Sequence, residues 1–271
     1  MGVVLGIDIG GSTTKIAGFN DKKEMIGTLQ VKASDQITSL YGAIGNFTSN
    51  HDIALKDVSK IVITGVGASF VSGDIYGIHT QRIEEFKAIG IGGLKISGKD
   101  EAIIASMGTG TALVRATKEN AVHIGGSGVG GGTLVGLSEK LFGENNFYMI
   151  LELAKNGDLA NVDLAIKDIS KDVIPSLPPE TTASNFAKIK YIASDSDLAL
   201  GLINMIFQTV GMLSVFACRN DSIKDVVLIG ALTEIPQARG IFDSIEHLYA
   251  GVKFTIPENA IFATAIGAAL S

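Results

Sequence analysis

The sequence has few charged residues and almost no cysteine, and both shortages exclude classes of protein. Charged residues make up 18% of the 271 residues, and the formal net charge is −6. Because no basic surplus is available to displace the counterions of a phosphate backbone, we expect no nucleic-acid partner. Cys218 is the single cysteine, so no disulfide can form within the chain. This cysteine usage is typical of a reducing compartment, and we expect a cytoplasmic protein.

The sequence also lacks the charged start and long apolar run of a secretory signal. One stretch, residues 198–218 ("LALGLINMIFQTVGMLSVFAC"), carries no charge over a length close to that of a membrane-spanning helix. Asn204 and Gln208 interrupt it four residues apart, and they therefore share one helical face. We expect a helix that is buried between lobes or subunits, and no membrane partner.

Glycine is abundant, with 33 residues in clusters, and the first cluster is "GIDIGGSTTKIAGF" (residues 6–19). Its second half alternates and has no helical period, so it is no dinucleotide fingerprint, and a Walker loop is absent. The pattern predicts a hairpin whose turn presents backbone amides to an anion. Asp8 beside such a turn makes sense if a magnesium ion, held through water, lies between it and phosphate. A hairpin that merely needs glycine remains the alternative.

Two further glycine clusters favour the nucleotide interpretation. "MGTGTALV" (residues 107–114) predicts a second glycine–hydroxyl hairpin, which a nucleotide clamped between two lobes would require. "GGSGVGGGTLVG" (residues 125–136) comes directly before a predicted helix. Gly130 to Gly132 would then lie at a helix N-terminus, where phosphate or the ribose and adenine edge can bind.

The order of the predicted elements repeats along the chain. The first part reads as three strands, a helix over about residues 36–49 with Ser34 or Asp35 as N-cap, a buried strand over residues 60–67 and a helix over residues 82–97. At about Asp100 the strand–turn–strand pattern restarts and is followed by long helices near residues 197–219 and 236–250. We expect an α/β protein with an N-terminal lobe over residues 1–100 and a C-terminal lobe over residues 101–271.

With these three glycine clusters and this order of elements, the sequence resembles the actin, hexokinase and Hsp70 superfamily of ATPases and, more narrowly, type II pantothenate kinase. The matching pieces are "GIDIGGSTTKI", "IEEF", "SMGTGTALV", "HIGGSGVGGGTLVGL", and "GDLANVDLAIKDI" with "LPPETTASNF". The resemblance runs from about residue 4 to the C-terminus. It implies two ribonuclease-H-like lobes with a nucleotide cleft between them, ATP and Mg²⁺ as cofactors, pantothenate as the phosphoryl acceptor on the way to coenzyme A, and a homodimer.

The same resemblance assigns site residues. The residues that it places on the nucleotide or its phosphates are Asp8 (with the Mg²⁺), Gly10, Gly11, Ser12, Thr13, Thr14, Lys15, Thr109, Gly110, Gly131, Gly132, Thr133, Phe147 near adenine, and Gly230. The residues that it places at the acceptor are Glu85, Met107, Gly108, Thr109, His123 and Gly125. Glu85 corresponds to the general base, while Glu84, which cannot face the same way from the adjacent helical position, is expected to be a solvated charge.

His123 departs from the family pattern, which commonly has an arginine at this position on the pantothenate side. A neutral imidazole binds an anion more weakly than a guanidinium does, and its charge depends on pH. The departure leaves the acceptor open, and a strand-end residue without a binding role is the simpler reading. We therefore keep two other functions: a sugar-type kinase of the same superfamily, and an ATPase that activates a partner enzyme. Neither a zinc-binding cluster nor a cysteine set for an iron–sulfur cluster is present in the sequence to support them.

Overall fold

The computed structural model describes residues 2–33, 35–175 and 177–271. Its first five-stranded sheet has the order β3-β2-β1-β4-β5. The strands are β1 (Val3–Ile9), β2 (Thr13–Phe19), β3 (Met25–Lys32), β4 (Val58–Thr64) and β5 (Thr80–Arg82). β1 pairs antiparallel with β2 and parallel with β4. The carboxyl ends of β1 and β4 therefore meet at one edge of the sheet, beside the turn between β1 and β2.

The second five-stranded sheet repeats this pattern with the order β12-β11-β6-β7-β8. Its strands are β6 (Glu101–Met107), β7 (Thr111–Thr117), β8 (Ala121–Ser127), β11 (Asp225–Ile229) and β12 (Lys253–Thr255). β6 pairs antiparallel with β7 and parallel with β11, as β1 does with β2 and β4. The predicted internal repeat of architecture is present. A separate two-stranded ladder joins β9 (Leu164–Ala165) to β10 (Thr182–Ser184).

Helices cover both sheets. They are α1 (Gln36–Asn50), α2 (Glu85–Ser97), α3 (Gly131–Phe142), α4 (Phe147–Ala154), α5 (Ile166–Ile169), α6 (Asp195–Asp221), α7 (Ala238–Leu248) and α8 (Ala263–Ala269). Asp35 caps α1 by accepting a hydrogen bond from the Thr38 amide, and Ser34, the other candidate cap, lies outside the described residues. The helix expected from residue 82 begins three residues later, because β5 occupies residues 80–82.

Helices α2 and α8 connect the two sheets. Ile89 of α2 packs in one cluster with Ile104 of the second sheet, whereas Ala265 of α8 packs with Ala17 of the first sheet. The helices cross at glycines: a β-carbon on Gly92 would collide with the Ala263 carbonyl. The C-terminal helix thus lies on the N-terminal sheet. The lobe boundary at residue 100 stays a prediction, and the crossing fixes the start of α2 at the junction of the sheets.

Helix α6 is long and apolar enough to cross a membrane, but most of its most apolar part is buried in the protein. Asn204, on the buried face, donates a hydrogen bond to Asp163 at 2.8 Å. Asp163 also accepts hydrogen bonds from the Asn185 side chain and the Phe186 amide. The polar interruption of the uncharged stretch therefore anchors the segment that carries β9 and β10.

Candidate active site

The turn between β1 and β2 lies at the edge of the first sheet where the carboxyl ends of β1 and β4 meet. The Gly10 amide closes it by donating to the Thr13 carbonyl at 3.0 Å. Gly11 and Ser12 are exposed, and a β-carbon on Gly11 would meet no atom within 4 Å. The turn therefore leaves open space in front of its backbone, which is what the approach of a phosphate requires.

Asp8, Lys15 and Thr64 stand side by side on three neighbouring strands. Asp8 is directly opposite Lys15 on β2 and Thr64 on β4. Burial raises the pKa of Asp8, and the nearby Lys15 ammonium opposes that rise. Lys15 is only 7% exposed and donates to the Thr13 hydroxyl at 2.7 Å. The hydroxyls of Thr14 and Thr64 are buried without a hydrogen-bond partner among the described residues.

These side chains fit a magnesium ion. Magnesium is usually bound through one or two carboxylates together with water and substrate phosphates, and a half-buried carboxylate with a raised pKa gains from a neighbouring cation. Asp8 supplies that carboxylate. No cluster of three or more metal-ligating side chains is found in the described ranges.

Glu85 is the first residue of α2 and faces the same space as Asp8. Burial raises the pKa of Glu85, and the negative charges of Asp8 and Glu84 raise it further. Glu84 itself is exposed, as expected for a solvated charge, whereas Glu85 is half-buried. A carboxylate whose pKa is raised towards neutrality is a stronger base, and therefore a better acceptor for a hydroxyl proton.

Helix α2 also positions His123 on β8. A β-carbon on Gly90 would lie 2.5 Å from the Ala121 β-carbon, and one helical turn earlier the Phe86 ring stacks on the His123 ring. The two contacts fit together because the rise over four helical residues, about 6 Å, is close to the rise over two strand residues, about 6.6 Å. Gly125 comes two residues after His123, but a register shift pairs Gly125 with Leu113 and His123 with Val114, so the two residues face opposite sides of the sheet. The structure thus places His123 beside Phe86, the residue after Glu85, and the assignment of His123 and Gly125 to the acceptor stays a prediction.

The second turn and the third glycine cluster pack against each other. The Gly131 and Gly132 amides, the first two of α3, donate to the carbonyls of Gly108 and Thr109, each at 2.9 Å. These two amides therefore already have carbonyl partners and do not offer their N–H groups to a phosphate. That Gly131, Gly132 and Thr133 border the nucleotide, at its phosphates or at its ribose and adenine edge, stays a prediction. Thr133 instead accepts from the Gly130 amide at 3.2 Å, so the cluster forms a rigid backbone support under the second turn.

Met107 and Gly230 lie at the carboxyl ends of adjacent strands β6 and β11. Gly230 has φ of 95°, and a β-carbon there would lie 2.5 Å from the Met107 carbonyl oxygen. Phe147, the first residue of α4, packs at the edge of the core of the second lobe, edge-to-face with Tyr148. Whether it borders adenine stays a prediction.

Sequence reasoning missed Gly65, the counterpart of Gly230 in the first lobe. Gly65 follows β4, has φ of 86°, and a β-carbon on it would lie 2.6 Å from Asp8 Oδ1. Both glycines precede a short 3-10 helix, residues Val66–Phe70 and Ala231–Glu234. The sequence signal for this equivalence is the pair of stretches "TGVGAS" and "IGALTE", each of which follows a buried strand.

A family model described as Fumble matches residues 102–241. The type II pantothenate kinase of Oceanobacillus iheyensis is 30% identical over 278 residues, covering 98% of each chain. The type II pantothenate kinase of Staphylococcus aureus (strain USA300) is 28% identical over 274 residues, covering 97% of each chain.

Solved structures show the fold. Component A of (R)-2-hydroxyglutaryl-CoA dehydratase from Acidaminococcus fermentans superposes with a TM-score of 0.72 at 20% identity, covering 100% of this chain and 97% of that one. A ROK family glucokinase from Streptomyces griseus, in complex with glucose and AMPPNP, gives 0.64 at 12% identity, covering 99% and 98%. The predicted α/β fold, with two ribonuclease-H-like lobes of the actin-like ATPase type, is confirmed.

Proposed function

The chain belongs to the type II pantothenate kinase family, and we propose that it transfers the γ-phosphoryl group of ATP to the primary hydroxyl of pantothenate, giving 4′-phosphopantothenate for coenzyme A synthesis. Nearly full-length similarity to relatives of that name supports the acceptor. The observation that carries the chemistry is the placement of Glu85, at the start of α2, in the same space as Asp8 beside the glycine turns.

In the proposed reaction Glu85 accepts the proton of the acceptor hydroxyl as its oxygen bonds to the γ-phosphorus and the bond from that phosphorus to the β-phosphate oxygen breaks. Phosphoryl transfer needs mainly alignment and neutralised charge. The open amides around Gly11 and the Lys15 ammonium would hold the phosphates from the first lobe. Thr109 and Gly110 would hold them from the second.

Asp8 would hold the magnesium ion, through water and next to the phosphates. The bound ion supplies charge neutralisation at the transferring phosphoryl group. Near such a cation the Asp8 carboxylate stays ionised, and Thr64 offers it a neighbouring hydroxyl. Gly65 keeps the space beside Asp8 clear, because any side chain there would press on the carboxylate.

We place the acceptor beside His123, on the face of β8 that α2 covers. The His123 ring is held flat on Phe86, and because the residue is exposed, the edge of the ring is accessible. An imidazole edge in that position can hydrogen-bond a carbonyl or carboxylate oxygen of pantothenate. This makes His123 the acceptor-side contact that an arginine provides elsewhere in the family pattern.

We further propose a cytoplasmic homodimer. Helix α6 carries an outward stripe at helical spacing in which three residues are half-buried and one is exposed: Met205, Thr209 and Met212, and then Phe216. Leu137 and Leu141 of the neighbouring helix α3 are exposed as well. An apolar stripe continued on an adjacent helix suits a second copy of the chain better than water.

The test is a kinase assay on the wild-type protein and on Glu85→Gln with ATP, Mg²⁺ and either pantothenate or glucose and N-acetylhexosamines. We expect turnover of pantothenate alone and a loss of about 100-fold or more in kcat for Glu85→Gln, with ATP binding retained. The matched control is Glu84→Gln, which removes the same charge one residue away. Turnover of sugars without pantothenate would establish the sugar-kinase alternative, and Glu85→Gln activity within a few-fold of wild type would remove Glu85 as the base.

The activator alternative has less support than the kinase. Burial, with the charges of Asp225 and Asp221, raises the pKa of the Cys218 thiol to about 12. A thiol that stays protonated is a poor cluster ligand. Hydrolysis of ATP without any acceptor, together with iron in the purified protein, would revive that alternative.

A further inference from the structure

We infer that Val66 and Phe70, which no motif singled out, form an apolar wall that selects an acceptor with a fully substituted carbon next to the reacting hydroxyl. This inference rests on the proposed function, because it concerns the acceptor of the same site. Pantothenate carries such a carbon, with two methyl groups, next to its primary hydroxyl.

Both side chains are exposed on the short helix Val66–Phe70, about 120° apart around its axis because a 3-10 helix has three residues per turn. Val66 is 65% exposed and Phe70 is 64% exposed, while Gly67 and Ala68 between them are buried. The Ser69 hydroxyl is turned back onto the Val66 carbonyl at 2.9 Å. The exposed surface of this helix is therefore formed mainly by two large apolar side chains.

One end of this helix is fixed beside Asp8. It begins at Gly65, whose α-carbon lies against the Asp8 carboxylate. Gly67 packs so closely on Ile9, the last residue of β1, that a β-carbon would collide with it. Val66 therefore stands next to the expected magnesium and phosphate position.

The other end is tied to the strand that leads to Glu85. The Arg82 guanidinium, at the end of β5, donates a hydrogen bond to the carbonyl of Val71, the residue directly after Phe70. Arg82 is three residues before Glu85, and the intervening Ile83 amide is bound to the Ile63 carbonyl at 3.0 Å. The helix thus runs from the residue beside Asp8 to a residue held by the segment that leads into α2.

The internal repeat points to the same assignment. In the second lobe the equivalent helix, Ala231–Glu234, follows Gly230 and lies beside the second turn, where its Leu232 approaches Gly131 on the expected nucleotide side. A pseudo-symmetric pair of lobes places the two helices on opposite sides of the phosphates. If the helix Ala231–Glu234 borders the nucleotide, the helix Val66–Phe70 borders the acceptor. Leu232 is buried, whereas Val66 and Phe70 are exposed and available for contact.

The test compares pantothenate with an analogue whose two geminal methyl groups are replaced by hydrogen. We expect the wild-type enzyme to prefer pantothenate by about tenfold or more in kcat/KM, as lost methyl contacts in an apolar site predict. In the double variant Val66→Thr with Phe70→Ser this preference should fall towards one, with the KM for ATP unchanged. Val173→Thr, at a position that is 87% exposed elsewhere, is the matched control and should keep the preference.

An unchanged preference in the double variant, with normal turnover of pantothenate by wild type, would overturn this inference and leave the proposed function standing. A wild-type protein that does not phosphorylate pantothenate would overturn the proposed function and this inference together. Should the double variant fail to fold, the single variant Val66→Thr, which keeps the side-chain shape, gives the same comparison. Phe70→Leu, which keeps an apolar side chain, should retain the preference.

Discussion

The rings of Phe86 and His123 lie parallel, with centroids 4.1 Å apart and an interplanar angle of 8°. Phe86 directly follows Glu85 on α2, and His123 belongs to β8 of the second sheet. The stack therefore ties the strand that borders the proposed acceptor site to the helix that carries Glu85, the proposed base.

Replacing His123 tests the acceptor contact. An arginine can stack on Phe86 in the same way and always carries charge. We expect His123→Arg to lower the KM for pantothenate about fivefold, because a hydrogen bond from a charged donor is stronger by about 1 kcal/mol. His123→Phe keeps the stack without a donor and should raise that KM. If steady-state kinetics show the same KM in both variants, His123 does not contact the acceptor.

The raised pKa of Glu85 predicts the acid limb of the pH profile. Glu85 must be ionised to accept a proton, so kcat/KM should rise with pH through a value above the ordinary glutamate pKa of 4.5. The negative charge of Glu84 contributes to the raised pKa of Glu85. Glu84→Gln removes it, and the acid limb should move to lower pH with little change in the plateau. A shift to higher pH would contradict this electrostatic account.

Gly65 and Gly73 form a matched pair. Both have positive φ, 86° and 74°, so alanine strains the backbone at either position, and Gly65, with ψ of 165°, lies in a region that is almost exclusive to glycine. Only Gly65 adjoins Asp8, since a β-carbon on Gly73 would meet nothing within 4 Å. We expect Gly65→Ala to lower kcat/KM for ATP by about 100-fold, because it displaces the Asp8 carboxylate. Gly73→Ala should lower the melting temperature and leave kcat/KM unchanged. Equal kinetics in both variants would mean that the Asp8 position tolerates displacement.

We expect Asp197 to contribute to the free energy of unfolding and not to catalysis. Its carboxylate, 5% exposed, accepts hydrogen bonds from the Asp158 amide, the Asn161 side chain, and the amide and hydroxyl of Ser194. Burial alone would raise its pKa, but these hydrogen bonds lower it overall. Asp197→Asn replaces one accepting oxygen by an NH₂ group, which then faces the N–H and O–H donors around it. This variant should reduce the free energy of unfolding by about 1–3 kcal/mol, without a change in kcat.

The sign of the pH dependence follows from the lowered pKa of Asp197. The stabilisation is complete above the unfolded-state value of about 3.8 and is lost as the pH falls through the lower folded-state value. Urea unfolding at several pH values measures both effects. Asp35→Asn is the control, because asparagine caps a helix as well as aspartate does. A wild-type stability that falls no faster than that of Asp197→Asn below pH 4 would refute the assignment.

The proposed homodimer predicts that a charge placed on the outward stripe of α6 separates the two subunits. Phe216 lies on the outward stripe of α6 and is 57% exposed in the single chain. Phe216→Glu places a charge in the proposed interface, where it cannot be solvated, and should give monomers in sedimentation at micromolar concentration. Val173→Glu places the same charge at an exposed site elsewhere and should leave the dimer intact. A monomeric wild-type protein would refute the proposal outright.

The sequence by itself determined the repeated strand–turn–strand pattern, the two lobes and the first two glycine turns. These features are local: alternation of apolar residues defines a strand, and a tight turn needs glycine at defined positions. Spacing alone could not choose between Glu84 and Glu85. Family resemblance favoured Glu85, and the structure shows the physical difference, because Glu85 is half-buried near Asp8 while Glu84 is exposed.

Only the tertiary structure decided what the glycines are for. The amides of Gly131 and Gly132 are bound to the second turn, while Gly65 clears the space beside Asp8. The course of α8 back onto the first sheet was equally invisible in its sequence. Each of these facts depends on which distant backbone or side chain arrives at a position. Local propensity cannot specify that, because long-range packing selects the partners.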